Sequence, residues 1–84
     1  MEKEIGVVTH YFTNISVGVV EITKGTLKTG DTIHIKGATS DFTQKVQSLQ
    51  IEHEKIEEAK KGQSIGLKVK EHVREQDKVF KITE

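Results

Sequence analysis

The run Gly25-Thr26-Leu27-Lys28-Thr29-Gly30-Asp31-Thr32-Ile33-His34-Ile35-Lys36-Gly37 constrains the fold of this chain more than any other stretch. Gly25 and Gly30 supply two positions where positive φ costs little, and Leu27 between them is an apolar plug that folds back onto a core. Asp31 then opens a strand in which Ile33 and Ile35 point one way while Thr32, His34 and Lys36 point the other. Gly25, Leu27, Gly30 and Asp31 are therefore assigned to a structural turn at a corner of a β module.

The remaining residues extend that pattern. Ile5 to Phe12 and Ile15 to Ile22 are rich in β-branched and aromatic residues and are separated by Thr13 and Asn14, which reads as a hairpin. Gly18 inside its second strand marks a bulge, a barrel bend or a close backbone approach. Ala38 to Asp41 is a polar loop, and Phe42 to Glu52 reads as one long strand whose apolar parity changes between Val46 and Leu49. A bulge near Gln47 or Ser48 lets both halves face the core; a short helix is the rival reading there. Glu57 to Lys61, closed by Gly62, is a turn of good helix formers or a connector. Gln63 to Lys70 alternates, with Ile65, Leu67 and Val69 facing inward. Val73 to Asp77 is a turn, and Val79, Phe80 and Ile82 form a last strand. The expected fold is all-β, a small closed antiparallel barrel of about six strands forming a single domain over residues 1–84.

Composition sets what can hold such a barrel together. A chain of 84 residues buries only about 60–65% of its extended surface. It has no cysteine, so packing alone must stabilise it, which fits a reducing, cytoplasmic setting. Thirteen basic residues balance thirteen acidic ones, so net charge gives no global pull toward nucleic acid or an anionic membrane. No signal peptide and no membrane span is expected from a sequence without an apolar run of about 18 residues.

Tests for chemistry point away from catalysis. Gly25 and Gly30 have the glycine spacing of a phosphate-binding loop, but Asp31 occupies the position of its lysine and would repel a phosphate. His10, His34, His53 and His72 lack a ligand spacing; His34 reads as a solvent-facing strand residue and His53 as a solvated strand end. Ser16, Ser40, Ser48 and Ser64 sit in no nucleophile elbow, and Asn14-Ile15-Ser16 is a chance match to a glycosylation acceptor. No catalytic, metal or cofactor-binding residue is assigned. Lys60, Lys61, Lys68, Lys70 and Arg74 form the one basic cluster, with Lys68 and Lys70 on one face of one strand, and are the candidate RNA-binding residues. Lysines commonly occupy the wet side of a sheet, which is the plainer reading of the same residues. Tyr11, Phe12 and Phe42 could stack on bases if exposed, but so few aromatics are expected in the core.

The Gly25 to Ile35 segment resembles the signature of the second domain, a β-barrel, of translational GTPases such as elongation factor Tu and initiation factor 2. Ala59-Lys60-Lys61-Gly62-Gln63-Ser64-Ile65-Gly66-Leu67-Lys68-Val69 resembles the second signature of that domain, and Val46, Ser48 and Leu49 fit the strand between. Gln63 stands where the family usually has an acid, and Gln76 where a glycine is expected before Asp77. The GTPase domain is not in this chain, so no GTP binding is expected. The resemblance implies a surface suited to ribosomal RNA or the acceptor end of transfer RNA. The leading expectation is thus a non-catalytic translation-factor-like barrel that binds RNA or a ribosomal component through the Lys60 to Arg74 side. A similar barrel occurs as an appended domain in collagenase-type peptidases. The alternative is therefore a protein-binding accessory barrel acting in trans on a partner enzyme.

Overall fold

Alternation of apolar and polar residues around the two longest β-branched runs generates a central hairpin, β1 (Glu2–Phe12) and β2 (Val17–Ile22). The computed structural model describes residues 2–38, 40–52 and 54–83. His53, expected at a solvated strand end, lies outside the described residues. Eight further strands follow: β3 (Thr26–Lys28), β4 (Thr32–Lys36), β5 (Asp41–Lys45), β6 (Leu49–Ile51), β7 (Glu54–Ile56), β8 (Glu58–Lys60), β9 (Ser64–Lys68) and β10 (Lys78–Ile82). No helix occurs among the described residues. One antiparallel sheet has the order β5-β4-β10-β1-β2-β9-β6-β7, and β3 and β8 form a separate two-stranded ribbon.

The all-β reading stands, but six strands and full closure do not. Among the described residues no ladder joins the two end strands, β5 and β7. The seam beside β5 is spanned instead by one side chain. Gln44 Nε2 donates to the Lys68 carbonyl at 2.8 Å, and its Oε1 accepts from the Lys70 amide at 2.9 Å. A side-chain amide offers the same donor and acceptor as a peptide unit, so Gln44 substitutes there for a missing strand residue.

Three local departures from the expected pattern account for the additional strands. The expected long strand breaks at Val46 to Ser48, because the Val46 backbone is recruited by the neighbouring turn: it accepts from the Gly30 amide and donates to the Asp31 carbonyl, both at 2.8 Å. Val46 and Leu49 are consequently both buried despite opposite parity. Glu57 to Lys61 contains no helical turn, since Ala59 pairs with Leu27 and both are fully buried; that contact outweighs the modest helix propensity of the run. Glu54–Ile56 pairs with β6 as a short end strand.

One turn geometry is used three times. In Lys28–Asp31, Lys60–Gln63 and Arg74–Asp77 the fourth residue's amide donates to the first residue's carbonyl at 3.1 Å. The fourth side chain in turn accepts from the first amide, through Asp31 Oδ2 at 2.8 Å, Gln63 Oε1 at 2.7 Å and Asp77 Oδ2 at 3.0 Å. The third position has positive φ each time, 94° at Gly30, 91° at Gly62 and 74° at Gln76. This is the type II arrangement, in which glycine avoids a Cβ clash. Inside these corners Ile5, Ile22, Leu27, Ile33, Ile35, Leu49, Ile65 and Leu67 are almost completely inaccessible. Burial of each such side chain contributes about 1.5–3 kcal/mol.

Candidate functional site

A bulge in β1 decides which residues the hairpin presents to solvent. The β1–β2 register shifts between Val8 and His10, so Val8 opposes Val20 in the core whereas His10 opposes Val19 and Phe12 opposes Val17 on the outside. An extra residue in one strand inverts the facing of everything after it. Phe12 is therefore 47% exposed rather than buried, which corrects its expected place in the core. Phe42 is buried and Tyr11 packs against the core edge.

The outward rows continue onto β9, where Val19 opposes Gly66, Gly66 opposes Gln50 of β6, and Val17 opposes Lys68. At the hairpin tip Ile15 is 60% exposed. Phe12, Ile15, Val17, Val19 and Gly66 line a shallow groove of about 310 Å³ whose rim includes Gln50, Glu52 and Ser64. The His10 ring meets Phe12 edge-on at 4.5 Å, and Tyr11 and His72 lie tilted at the same separation. An adjoining open cleft of about 490 Å³ is bordered by His10, Tyr11, Thr13, His72 and Arg74.

The basic candidates do not form one surface. Lys60 is on β8 of the small ribbon and Lys61 is in its turn. Lys68 ends β9, and Lys70 lies beyond that strand rather than on it; both line a cleft that also contains Gln44 and Lys45. Arg74 borders the His10 and His72 cleft instead. At the turn, Gly25 has φ 67° and Leu27 is fully buried. Asp31 caps the Lys28 amide and pairs with Lys81 at 3.3 Å.

His34 stands out electrostatically. Its Nδ1 is 2.8 Å from Glu2 Oε1 and its Nε2 is 2.5 Å from Asp41 Oδ1, so the ring reaches across β10 to β1 on one side and to β5 on the other. Both nitrogens can donate only as imidazolium. The hydrogen bond to Asp41, then that to Glu2, raises the pKa of His34 above its ordinary value of 6.5. The same contact, helped by Lys36, lowers that of Asp41. The side chain is 14% exposed, so the reading of His34 as a free solvent-facing residue is corrected: it is a clamp on the outer face. Among the described residues no group of three His, Asp or Glu side chains is arranged to hold a metal ion. No helix there is long and apolar enough to cross a membrane.

Comparison with known proteins separates the two expectations from sequence. An uncharacterized protease of Methanocaldococcus jannaschii is 42% identical over 82 residues, covering 96% of this chain and 20% of that protein. A collagenase of Porphyromonas gingivalis is 42% identical over 72 residues, 84% of this chain and 20% of its own length. The chain thus spans about a fifth of the curated relatives it matches. The C-terminal domain of a Geobacillus thermoleovorans protein assigned to the U32 peptidases superposes with a TM-score of 0.87 at 21% identity, covering 94% of this chain and 91% of that domain. These relatives overturn the translation, ribosome and RNA-binding expectation, because the similarity that spans nearly the whole chain is to parts of peptidases. What the translation factors share with this chain is the barrel-type domain itself. The family model "Elongation factor Tu domain 2" matches residues 16–79, and the chain belongs to that family.

Proposed function

We propose that this chain is a non-catalytic accessory domain of a collagenase-type peptidase, acting through protein contacts while peptide-bond cleavage resides elsewhere in the enzyme. The observation that carries the reading is 42% identity across 96% of the chain to a fifth of a protease. Residues 1–84 act as one unit in this reading, built around a single core. A cytoplasmic location is part of the proposal and rests on the absence of cysteine.

The polar side chains support a binding rather than a reacting role. The most perturbed titratable groups, His34 and Asp41, hold each other, and the buried Asp77 caps the Arg74 amide. A reacting group would instead be held near a space where substrate could sit. The test is a graft in which this chain replaces the matched segment of the Porphyromonas gingivalis collagenase. Collagen cleavage by the graft is expected within about tenfold of the parent, with a larger loss when a flexible linker replaces the segment. Cleavage that is indifferent to the linker replacement would sink the accessory role.

A further inference from the structure

We infer that the outer face of the β1–β2 hairpin and β9, with Gly66 as its floor, packs against the folded body of a peptidase; this rests on the accessory-domain reading. Phe12 and Ile15, at 47% and 60% exposure, are the large hydrophobic side chains left open among the described residues, and both belong to this hairpin. Val17, the cross-strand partner of Phe12, and Val19, that of His10, line the same groove. Contiguous exposed apolar surface with a polar rim marks an interaction site, whereas scattered single residues do not.

Gly66 adds an independent argument. A Cβ at Gly66 would meet Val17 Cγ1 at 3.5 Å and Gln50 Cβ at 4.0 Å, ordinary van der Waals contacts, and its φ is not in the left-handed region. Gly18 is different: a Cβ there would press on Val73 Cγ2 at 3.1 Å. Space for a Cβ is tight at Gly18 and ample at Gly66. A glycine in a strand interior costs about 0.5–1 kcal/mol relative to alanine. That cost is offset when a partner lies directly on the floor the glycine leaves flat.

The strand order selects the occupant. β2, at the centre of the face, is paired along its length with β1 on one side and β9 on the other, so a partner seated over it meets side chains rather than open backbone. Recognition uses side-chain packing over a face whose centre is apolar and whose rim carries Gln50, Glu52 and Ser64. That is the anatomy of a contact between folded proteins. In the collagenase the matched segment is 20% of the length, leaving a body large enough to supply such a surface. Contacts between domains of one chain bury about 600–1,500 Å² in total.

Amide hydrogen exchange at residues 12–17 provides the test, comparing the free 84-residue chain with the collagenase graft. Exchange there is expected to slow at least about tenfold in the graft, while the β4–β10 ladder exchanges as in the free chain. The Phe12→Ser, Ile15→Ser double variant should return residues 12–17 of the graft to free-chain rates. Gly66→Ala should leave the melting temperature of the free chain unchanged or higher, yet reduce the protection in the graft. Equal rates in graft and free chain would overturn the docking face, and if collagen cleavage is retained in that graft the accessory role survives without it. Protection of these residues in the free chain that disappears on dilution would overturn the proposal in favour of a second copy of the chain. A graft whose domain does not fold counts against both readings.

Discussion

The two halves of one sheet are built in opposite ways. Around β4, β5 and β10 the polar side chains hold one another: His34 joins Glu2 to Asp41 on the outer face, while at the margins of the core-facing side Lys81 meets Asp31 and Gln44 bridges to Lys68 and Lys70. Around the β1–β2 hairpin the outward residues include Phe12, Ile15, Val17 and Val19, whose apolar side chains form no hydrogen bond or ion pair and leave Phe12 and Ile15 open. A surface that closes its own hydrogen bonds contributes to the stability of the domain. An apolar surface left open contributes chiefly when another molecule covers it. Stability and contact are thus assigned to different sides of one sheet.

The contrast is broken most strongly at Gln44. Gln44→Ala removes two hydrogen bonds across the seam at once, and urea denaturation should show a loss of about 1–2 kcal/mol, since each neutral bond contributes about 0.5–1.5 kcal/mol. Gln44→Glu keeps the acceptor for the Lys70 amide but sets a carboxylate against the Lys68 carbonyl, so it should not restore stability. Full stability in Gln44→Ala would mean that the seam is held by the core alone.

The His34 clamp gives a smaller effect with a defined pH window. Because the folded state raises the His34 pKa, its contribution is fully present below the ordinary value of 6.5 and fades as pH climbs through the raised value. Because folding lowers the Asp41 pKa, that carboxylate's contribution is present above 3.8 and is lost as pH falls through the lowered value. Glu2, Asp41 and Lys36 are the charged groups that bear on the pair. His34→Gln should therefore lower the melting temperature most between roughly pH 4 and 6.5, by about 4 °C, and progressively less in alkali. A difference that is flat from pH 5 to 9 would show that the imidazolium is not the stabilised species.

Much of the self-satisfied side was legible in the sequence, because its parity is regular: Ile33 and Ile35 inward, Thr32, His34 and Lys36 outward. What the chain does with His34 was not legible, since Glu2 and Asp41 come from strands brought beside it only by the sheet order. The hairpin was readable as a hairpin, yet the bulge after Val8 that turns Phe12 outward has no glycine or proline to announce it. The repeated turn was legible in part through Gly30 and Gly62 and hidden in its third copy, where Gln76 adopts φ 74°. That departure from the family pattern leaves the loop intact, with the Gln76 amide donating to Val8 at 2.6 Å, and stores strain instead. Gln76→Gly should raise stability by about 0.5–1 kcal/mol in urea denaturation, the relief of the left-handed backbone exceeding the added freedom of the unfolded chain.

The open side should show the smallest effect on stability, and that indifference sharpens the comparison. Phe12→Ser with Ile15→Ser removes two large apolar side chains that already contact water in the folded chain. Little apolar area is re-exposed on their loss, so the free chain should unfold within about 0.5 kcal/mol of the parent. Phe12 also touches the His10 ring at 4.5 Å, an edge contact on a surface strand that adds little once both rings are wet. A loss above about 2 kcal/mol in urea denaturation would mean that Phe12 and Ile15 belong to the core in solution, and the division of the sheet into a stabilising side and a contact side would fall.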